Sequence, residues 1–250
     1  MNAIRTERQE RVLLITLDRP ERKNALTRAM YEALNDAFDR YGADSQLRAA
    51  VITGAGDTFT AGNDLQDFMD EPPVDDSSPV MGFLRRLVEL EKPLIAAVRG
   101  SAVGIGTTLL LHMDLAFADS TARFRMPFVR LGLVPEGGSS LLLPQALGHR
   151  RAAELLLLSE WFEPEVAREL GLLNQVVSDP LEHALMRAKA LAQQAPQAVV
   201  QAKRLLKAPY RDALLKVMRA EGQLFGERLR SPEAMEAFRA FFEKREPNFD

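Results

Sequence analysis

Lys92-Pro93-Leu94-Ile95-Ala96-Ala97-Val98-Arg99-Gly100-Ser101-Ala102-Val103-Gly104-Ile105-Gly106-Thr107-Thr108-Leu109-Leu110-Leu111 is the stretch on which the fold turns. It opens with a short apolar run containing β-branched residues, the pattern of a strand buried on both faces. Glycines 100, 104 and 106 come next and mark a turn. Thr107 and Thr108 then lead into three leucines, which predicts the first turns of a buried helix. Strand, glycine turn and helix start together present backbone N–H groups to something negative. Gly104-Ile105-Gly106 is not a dinucleotide fingerprint, because Leu109 stands where the third glycine belongs, and no Gly-Lys-Ser/Thr makes it a P-loop. Two readings remain for it: a plain tight turn, or an oxyanion site with the Ile105 N–H pointing into a pocket.

Upstream, residues 4–17 read as a hairpin whose second strand is Val12-Leu13-Leu14-Ile15-Thr16-Leu17. Asn24-Ala25-Leu26-Thr27 is expected to open a helix carrying Met30, Leu34 and Phe38 at four-residue spacing. Residues 49–53 form a second strand, residues 71–79 a Pro-, Asp- and Ser-rich loop expected to be mobile, and residues 81–90 an amphipathic helix. Downstream, residues 114–118 and 122–126 read as strands, and a helix starts near Ser139. Beyond Arg150 strand signals almost vanish except at Gln175-Val176-Val177, and helices are expected over 181–194, 198–206, 213–228 and 232–244. Leu215, Val217, Leu224 and Phe225 mark apolar positions on the tail helices. Trp161 and Phe162 read as packing in a helix-to-helix turn. The front is therefore α/β and the tail α, with a core over 1–195 and a helical region over 196–250.

The 250 residues carry 32 Lys+Arg against 35 Asp+Glu, a net charge of −3 that gives no reason to expect nucleic acid or an anionic membrane. There is no cysteine, which removes disulfides, thiolate chemistry and Cys-based metal sites and fits a reducing compartment. The polar, charged residues 1–11 do not read as a signal peptide, and no apolar run is long enough to span a bilayer. A cytoplasmic protein with no membrane or nucleic-acid partner is expected.

Two further stretches carry candidate chemistry. Ala61-Gly62-Asn63-Asp64-Leu65 is small-residued, so a ligand can approach its backbone closely. The Asn63 N–H is a possible second donor, whereas Asp64 reads as a helix cap. In Pro135-Glu136-Gly137-Gly138-Ser139-Ser140 a glutamate sits in a glycine-rich turn, either as a surface carboxylate or as a general base. Arg130 reads as solvent-facing or ion-paired. His112, His149 and His183 lie far apart and have no metal-ligand spacing. His112 falls in an apolar helix and reads as a satisfied core residue. No Gly-x-Ser-x-Gly elbow exists, and Ser139 and Ser140 have no evident histidine partner.

In order and spacing these stretches resemble the crotonase (enoyl-CoA hydratase/isomerase) superfamily. The matches are Leu17-Asp18-Arg19-Pro20-Glu21-Arg22-Lys23-Asn24-Ala25-Leu26, residues 59–65, 92–106 and 124–140, and the tail at 231–234 and 241–242. The resemblance implies an α/β crotonase (ClpP-like) spiral of repeated ββα units with a helical C-terminal trimerisation region. It implies an acyl-CoA substrate, no separate cofactor and no metal, and assembly as a homotrimer or dimer of trimers. Backbone N–H groups at Asn63 and Ile105 would hold the thioester oxygen. Ala25 and residues 61–65 (Ala61, Gly62, Asn63, Asp64, Leu65) would line the CoA side, with Gly104 at the turn and Arg22 or Lys23 either near a CoA phosphate or simply solvated.

The departures from the family pattern decide the expected reaction. Family hydratases use two glutamates on water; the matching positions here are Thr108 and Phe128, neither a carboxylate. Glu136 instead falls in the Pro-Glu-Gly turn shared with peroxisomal-type Δ3,Δ2-enoyl-CoA isomerases, which the Asn63-Asp64-Leu65 stretch also resembles. The implied activity is Δ3-to-Δ2 isomerisation in fatty acid β-oxidation with Glu136 as single base, ionised but partly desolvated. A hydratase-like enzyme of another acyl-CoA and a non-catalytic acyl-CoA-binding protein are the alternatives. Thr108 reads as a residue packing its methyl, in preference to one turning its hydroxyl to the pocket. Phe128 reads as an apolar wall for the acyl chain, compatible with ordinary core packing.

Overall fold

Runs such as Val12-Leu13-Leu14-Ile15 and Leu94-Ile95-Ala96-Ala97-Val98 are apolar at every position because both sides of their sheet are covered. The computed structural model describes residues 3–70 and 77–250. In chain order the elements begin with strands β1 (Ile4–Gln9) and β2 (Val12–Leu17), helix α1 (Arg28–Ala43), strand β3 (Ala49–Gly54), helices α2 (Leu65–Asp70) and α3 (Pro79–Glu89), and strands β4 (Leu94–Val98) and β5 (Ser101–Val103). Next come the short helix α4 (Ile105–Thr108), which continues as a 3₁₀ turn Leu109–His112, strands β6 (Leu115–Ala118) and β7 (Arg123–Arg125), and helices α5 (Ser139–Leu147) and α6 (His149–Ala153). The chain closes with α7 (Pro164–Glu169), strand β8 (Gln175–Val176), and helices α8 (Pro180–Ala192), α9 (Pro196–Lys207), α10 (Arg211–Arg228) and α11 (Pro232–Glu243).

The main sheet runs β1-β2-β3-β4-β6-β8, antiparallel at β1/β2 and parallel elsewhere. Successive side chains along a strand point to opposite faces, so each strand feeds two cores. Val12, Leu14, Val51, Ile95 and Ala97 face α8, where Ala184, Ala188 and Ala192 keep the helix close. Leu13, Ile15, Ile52, Ala96 and Val98 join the larger core under α1 and α3.

A second layer is built from short pieces. β5 pairs with β7, and isolated bridges extend the layer: Thr60 to Ala102, Leu26 to Asn63, and Phe124 to Phe162. After β2, β3, β4 and β6 the chain thus passes from the main sheet into this layer, the α/β spiral expected from the sequence. Among the described residues no helix is long and apolar enough to cross a membrane.

Three local expectations are corrected, and a fourth falls outside the described residues. Asn24 does not open a helix: its φ is 54°, α1 starts at Arg28 behind the cap Thr27, and the buried Asn24 side chain ties Arg19, Ala55 and Thr58 together instead. A buried amide that satisfies three backbone groups outweighs helix propensity. Phe162 is a strand-like residue, stacked on Phe124 at 5.5 Å, and Trp161 lies beside Arg125. The buried stripe of α10 is Leu214, Met218, Glu221 and Phe225, with Leu224 outside. Residues 71–76 of the expected mobile loop lie outside the described residues; Ser78 caps α3 through the Met81 N–H.

Candidate active site

Glycines decide where the site can form. Gly62 has φ 91°, and a Cβ there would stand 2.9 Å from the Val103 carbonyl oxygen. The 60–63 segment can therefore lie directly on the β5 turn. The Thr60 N–H donates to Ser101 O and the Val103 N–H to Thr60 O, both at 3.0 Å, which ties the two loops into one piece. At the Leu26–Asn63 bridge the Leu26 N–H donates to Gly62 O and the Asp64 N–H to Leu26 O. In a parallel bridge this turns the N–H of Asn63 itself away from Leu26. The Ile105 N–H is the first of α4, with no carbonyl one turn back to accept it. Gly104 before it has φ 54° and open space where a Cβ would stand.

Glu136 is placed by α4 and the next turn. Gly137 and Gly138 both adopt positive φ, at 67° and 75°, which folds the chain back so that α5 starts at Ser139. The Glu136 carbonyl accepts from the Ser139 N–H and hydroxyl, and the His112 ring meets the Gly137 carbonyl at 2.6 Å. Burial pushes His112 down to about 4, so the neutral ring donates Nε2–H there. The Glu136 carboxylate is buried and accepts from the Thr108 hydroxyl at 2.5 Å. Burial raises it to about 8, the Thr108 hydrogen bond opposes that rise, and the negative Glu221 adds to it.

Glu136, Gly137 and Asn63 line one open-sided cavity with Phe68, Val80, Met81, Leu84, Met218, Gly222 and Phe225. The cavity is thus walled by residues of α2, α3 and the tail helix α10. Among the described lining residues it offers one carboxylate, that of Glu136, in otherwise largely apolar surroundings. The Asn63 side chain accepts from Tyr31 Oη at 2.5 Å, which fixes the backbone beside it. Burial first, then the Glu136 charge, pushes Tyr31 well above its ordinary value, so it stays a neutral donor.

The remaining expected residues divide. Asp64 caps α2 through the Gln66 and Asp67 N–H groups and accepts from Arg19 at 2.7 Å, the capping role expected of it. Ala25, Ala61 and Leu65 are half-buried around the Leu26–Asn63 bridge, and Arg22 and Lys23 are exposed beside it. Thr108 requires a correction: its hydroxyl, not merely its methyl, is engaged, and the partner is Glu136. Phe128 is in the core beside a 3₁₀ turn and is not among the residues lining the Glu136 cavity. Arg130 is ion-paired with Glu246.

Sequence reasoning missed Tyr31, His112 as a support for Gly137, and above all Glu221. Glu221 is visible as a glutamate seven residues after Leu214 and four before Phe225, on the buried stripe of its helix. Leu215, Val217 and Leu224 mark a stripe rotated away from it. Among the described residues no group of His, Asp or Glu side chains is arranged to hold a metal ion.

A parallel-sheet spiral whose second layer carries the Asn63 turn and the first N–H of α4, with the buried Glu136 held by Thr108 of the same helix, has the build of an acyl-CoA-processing enzyme of the crotonase type. The enoyl-CoA hydratase/isomerase family profile matches residues 7–250, and the chain belongs to that family. An Escherichia coli K12 protein named 2,3-dehydroadipyl-CoA hydratase is 34% identical over 254 residues, covering 100% of this chain and 99% of its own. A 1,2-epoxyphenylacetyl-CoA isomerase from the same strain is 35% identical over 263 residues, covering 100% and 98%. Among solved structures, Pseudomonas aeruginosa OdaA matches with a TM-score of 0.94 at 51% identity over 96% of this chain and 99% of its own. An enoyl-CoA hydratase/isomerase from Pseudoalteromonas atlantica T6c matches with a TM-score of 0.94 at 43% identity, over 99% and 100%.

Proposed function

We propose that the chain isomerises Δ3-enoyl-CoA to Δ2-enoyl-CoA in fatty acid β-oxidation, with Glu136 as the single base. The observation that carries this reading is the one carboxylate among the cavity's described lining residues: Glu136 is buried, raised to about 8, and hydrogen-bonded to the threonine that stands where a hydratase has a glutamate. Isomerisation adds no water and needs only one such group. Glu136 takes the proton from C2, and the electron pair moves onto the thioester oxygen as an enolate. The Asn63 and Ile105 N–H groups hold that oxygen, an interaction whose loss costs about 2.7–4 kcal/mol per donor in comparable sites. The enolate then collapses, C4 takes the same proton back from Glu136, and the double bond lies between C2 and C3. A carboxyl near neutrality both accepts and returns a proton readily.

Ala25 and the 61–65 segment are assigned to the CoA side, with Arg22 and Lys23 near its phosphates. Paired exposed apolar side chains, Leu205 with Leu206 and Phe241 with Phe242, support a homotrimer or a dimer of trimers. A cytoplasmic setting fits the cysteine-free composition.

Glu136→Gln tests the base. Turnover of a 3-enoyl-CoA is expected to fall about 10²–10⁴-fold, with acyl-CoA affinity by calorimetry largely kept. Turnover near that of the unaltered protein would remove Glu136 from the chemistry. A second reading, hydration of a 2-enoyl-CoA, draws on the hydratase named among the relatives. It requires faster turnover of 2-enoyl-CoA than of 3-enoyl-CoA in the same preparation. A non-catalytic acyl-CoA carrier would bind both and turn over neither.

A further inference from the structure

α5 begins without a cap of its own. Gly138 occupies the N-cap position and has no side chain to offer the free N–H groups of the first turn. The cap comes from the tail. Glu221 of α10 accepts from the Gly138 N–H at 2.6 Å, the Ser140 N–H at 3.0 Å and the Ser140 hydroxyl at 2.5 Å. Its side chain is buried and is not on the cavity lining. All three donate to it in this arrangement, which favours its carboxylate form, while burial, the larger effect, pushes its carboxyl up.

We infer that Glu221 is a positioning residue for Glu136: it caps α5, holds the turn that carries Glu136, and places a fixed negative charge behind it that keeps Glu136 a strong base. The inference rests on Glu136 being the base. The physical reason is the helix end. A free N-terminal turn carries partial positive charge that stabilises a nearby anion, which would make Glu136 a weaker base. Glu221 engages that positive end and adds a like charge.

Few other groups compete for this role. Thr108 donates to Glu136 from α4. Tyr31 from α1 is held neutral, and so is His112, which faces the Gly137 carbonyl. α2, α3 and α10 present Phe68, Val80, Met81, Leu84, Met218 and Phe225 to the cavity, and no Lys or Arg is among its described lining residues.

The test is the pH profile of kcat/KM for 3-hexenoyl-CoA in the full chain, together with a direct infrared titration of the Glu136 carboxyl, its band identified by Glu136→Gln. In the unaltered protein activity is expected to rise with pH through about 8, where Glu136 is placed to ionise. Glu221→Gln keeps the shape and removes the charge. Both the activity limb and the carboxyl titration are expected to move down by about one pH unit. The high-pH plateau should fall about 3–10-fold, as expected for a weaker base. Glu221→Met removes the hydrogen bonds as well and moves both readouts the same way. Thr108→Val, which deletes the donor that lowers Glu136, moves them upward.

A purely structural role would reduce turnover or melting temperature and leave the titration in place. Folded Glu221 variants whose titration stays within about a quarter of a pH unit of the original overturn the inference. So does failure of both variants to fold at pH 7, which would assign Glu221 to the fold alone. If 3-hexenoyl-CoA is not turned over at all, the isomerase reading fails, while a shifted infrared titration still upholds the link between Glu221 and Glu136.

Discussion

Glu136 is held in a state that works against folding. Its carboxyl lies near 4.5 in an open chain and at about 8 in the native protein. Between those values the native state binds a proton that the unfolded state has released. Stability therefore falls as pH rises through this window, and the loss is complete above about 8. The penalty is on the order of 3–5 kcal/mol at its full extent. Glu136→Gln carries no charge and escapes it. Its melting temperature is expected to match that of the unaltered protein near pH 5 and to exceed it by several degrees at pH 8.5, measured by scanning calorimetry. A difference that is constant with pH would show that Glu136 is not desolvated as described. The Thr108 hydroxyl keeps this penalty from being larger, because it stabilises the carboxylate directly. The candidate base was legible from its glycine-rich turn. The role of Thr108 was not, because 28 residues separate it from Glu136 and only packing makes them neighbours.

At the scale of elements, the site is a set of chain reversals that secondary-structure propensity does not describe. The Lys92-to-Leu111 pattern gives the first strand and the helix start correctly, since apolar runs and glycines act locally, but it reads the strand β5 at Ser101–Val103 as part of a turn. It does not show that the helix is a single turn that tightens to 3₁₀ at Leu109–His112. Asn24 departs from its helical expectation for a related reason: its three backbone partners lie at Arg19, Ala55 and Thr58, most of them distant in sequence. Gly62 is the element-level residue with the clearest consequence. Gly62→Ala forces a side chain into a positive-φ position against the Val103 carbonyl. Strain of this kind costs about 1–3 kcal/mol and displaces the Asn63 N–H. A fall in kcat of about 10²-fold is expected, with acyl-CoA Kd changed only a few-fold, measured by steady-state kinetics and calorimetry. A loss confined to Kd would take the Asn63 N–H out of the oxyanion role.

At the scale of the whole molecule, the tail does more than cover a surface. α10 supplies Met218, Gly222 and Phe225 to the cavity wall and Glu221 to the α5 terminus. The tail also leaves Phe241 and Phe242 largely exposed in edge-to-face contact. Two such rings are an expensive surface to leave in water. The double change Phe241→Ser, Phe242→Ser is expected to shift the sedimentation profile from the proposed assembly toward smaller species. A profile identical to that of the unaltered protein would exclude this pair from the assembly contact.

The order of strands, glycine turns and helices was determined by the sequence alone, because apolar periodicity, glycine and capping residues act over a few residues. So was the presence of a single candidate base with no carboxylate at Thr108 or Phe128. The tertiary structure decided what surrounds that base. It brought Thr108 from α4 and Glu221 from the tail to one glycine turn, and it placed Phe128 in the core, outside the described cavity lining. Burial and charge proximity depend on the folded surroundings, so the basicity of Glu136 belongs to the assembled chamber and not to any stretch of the chain.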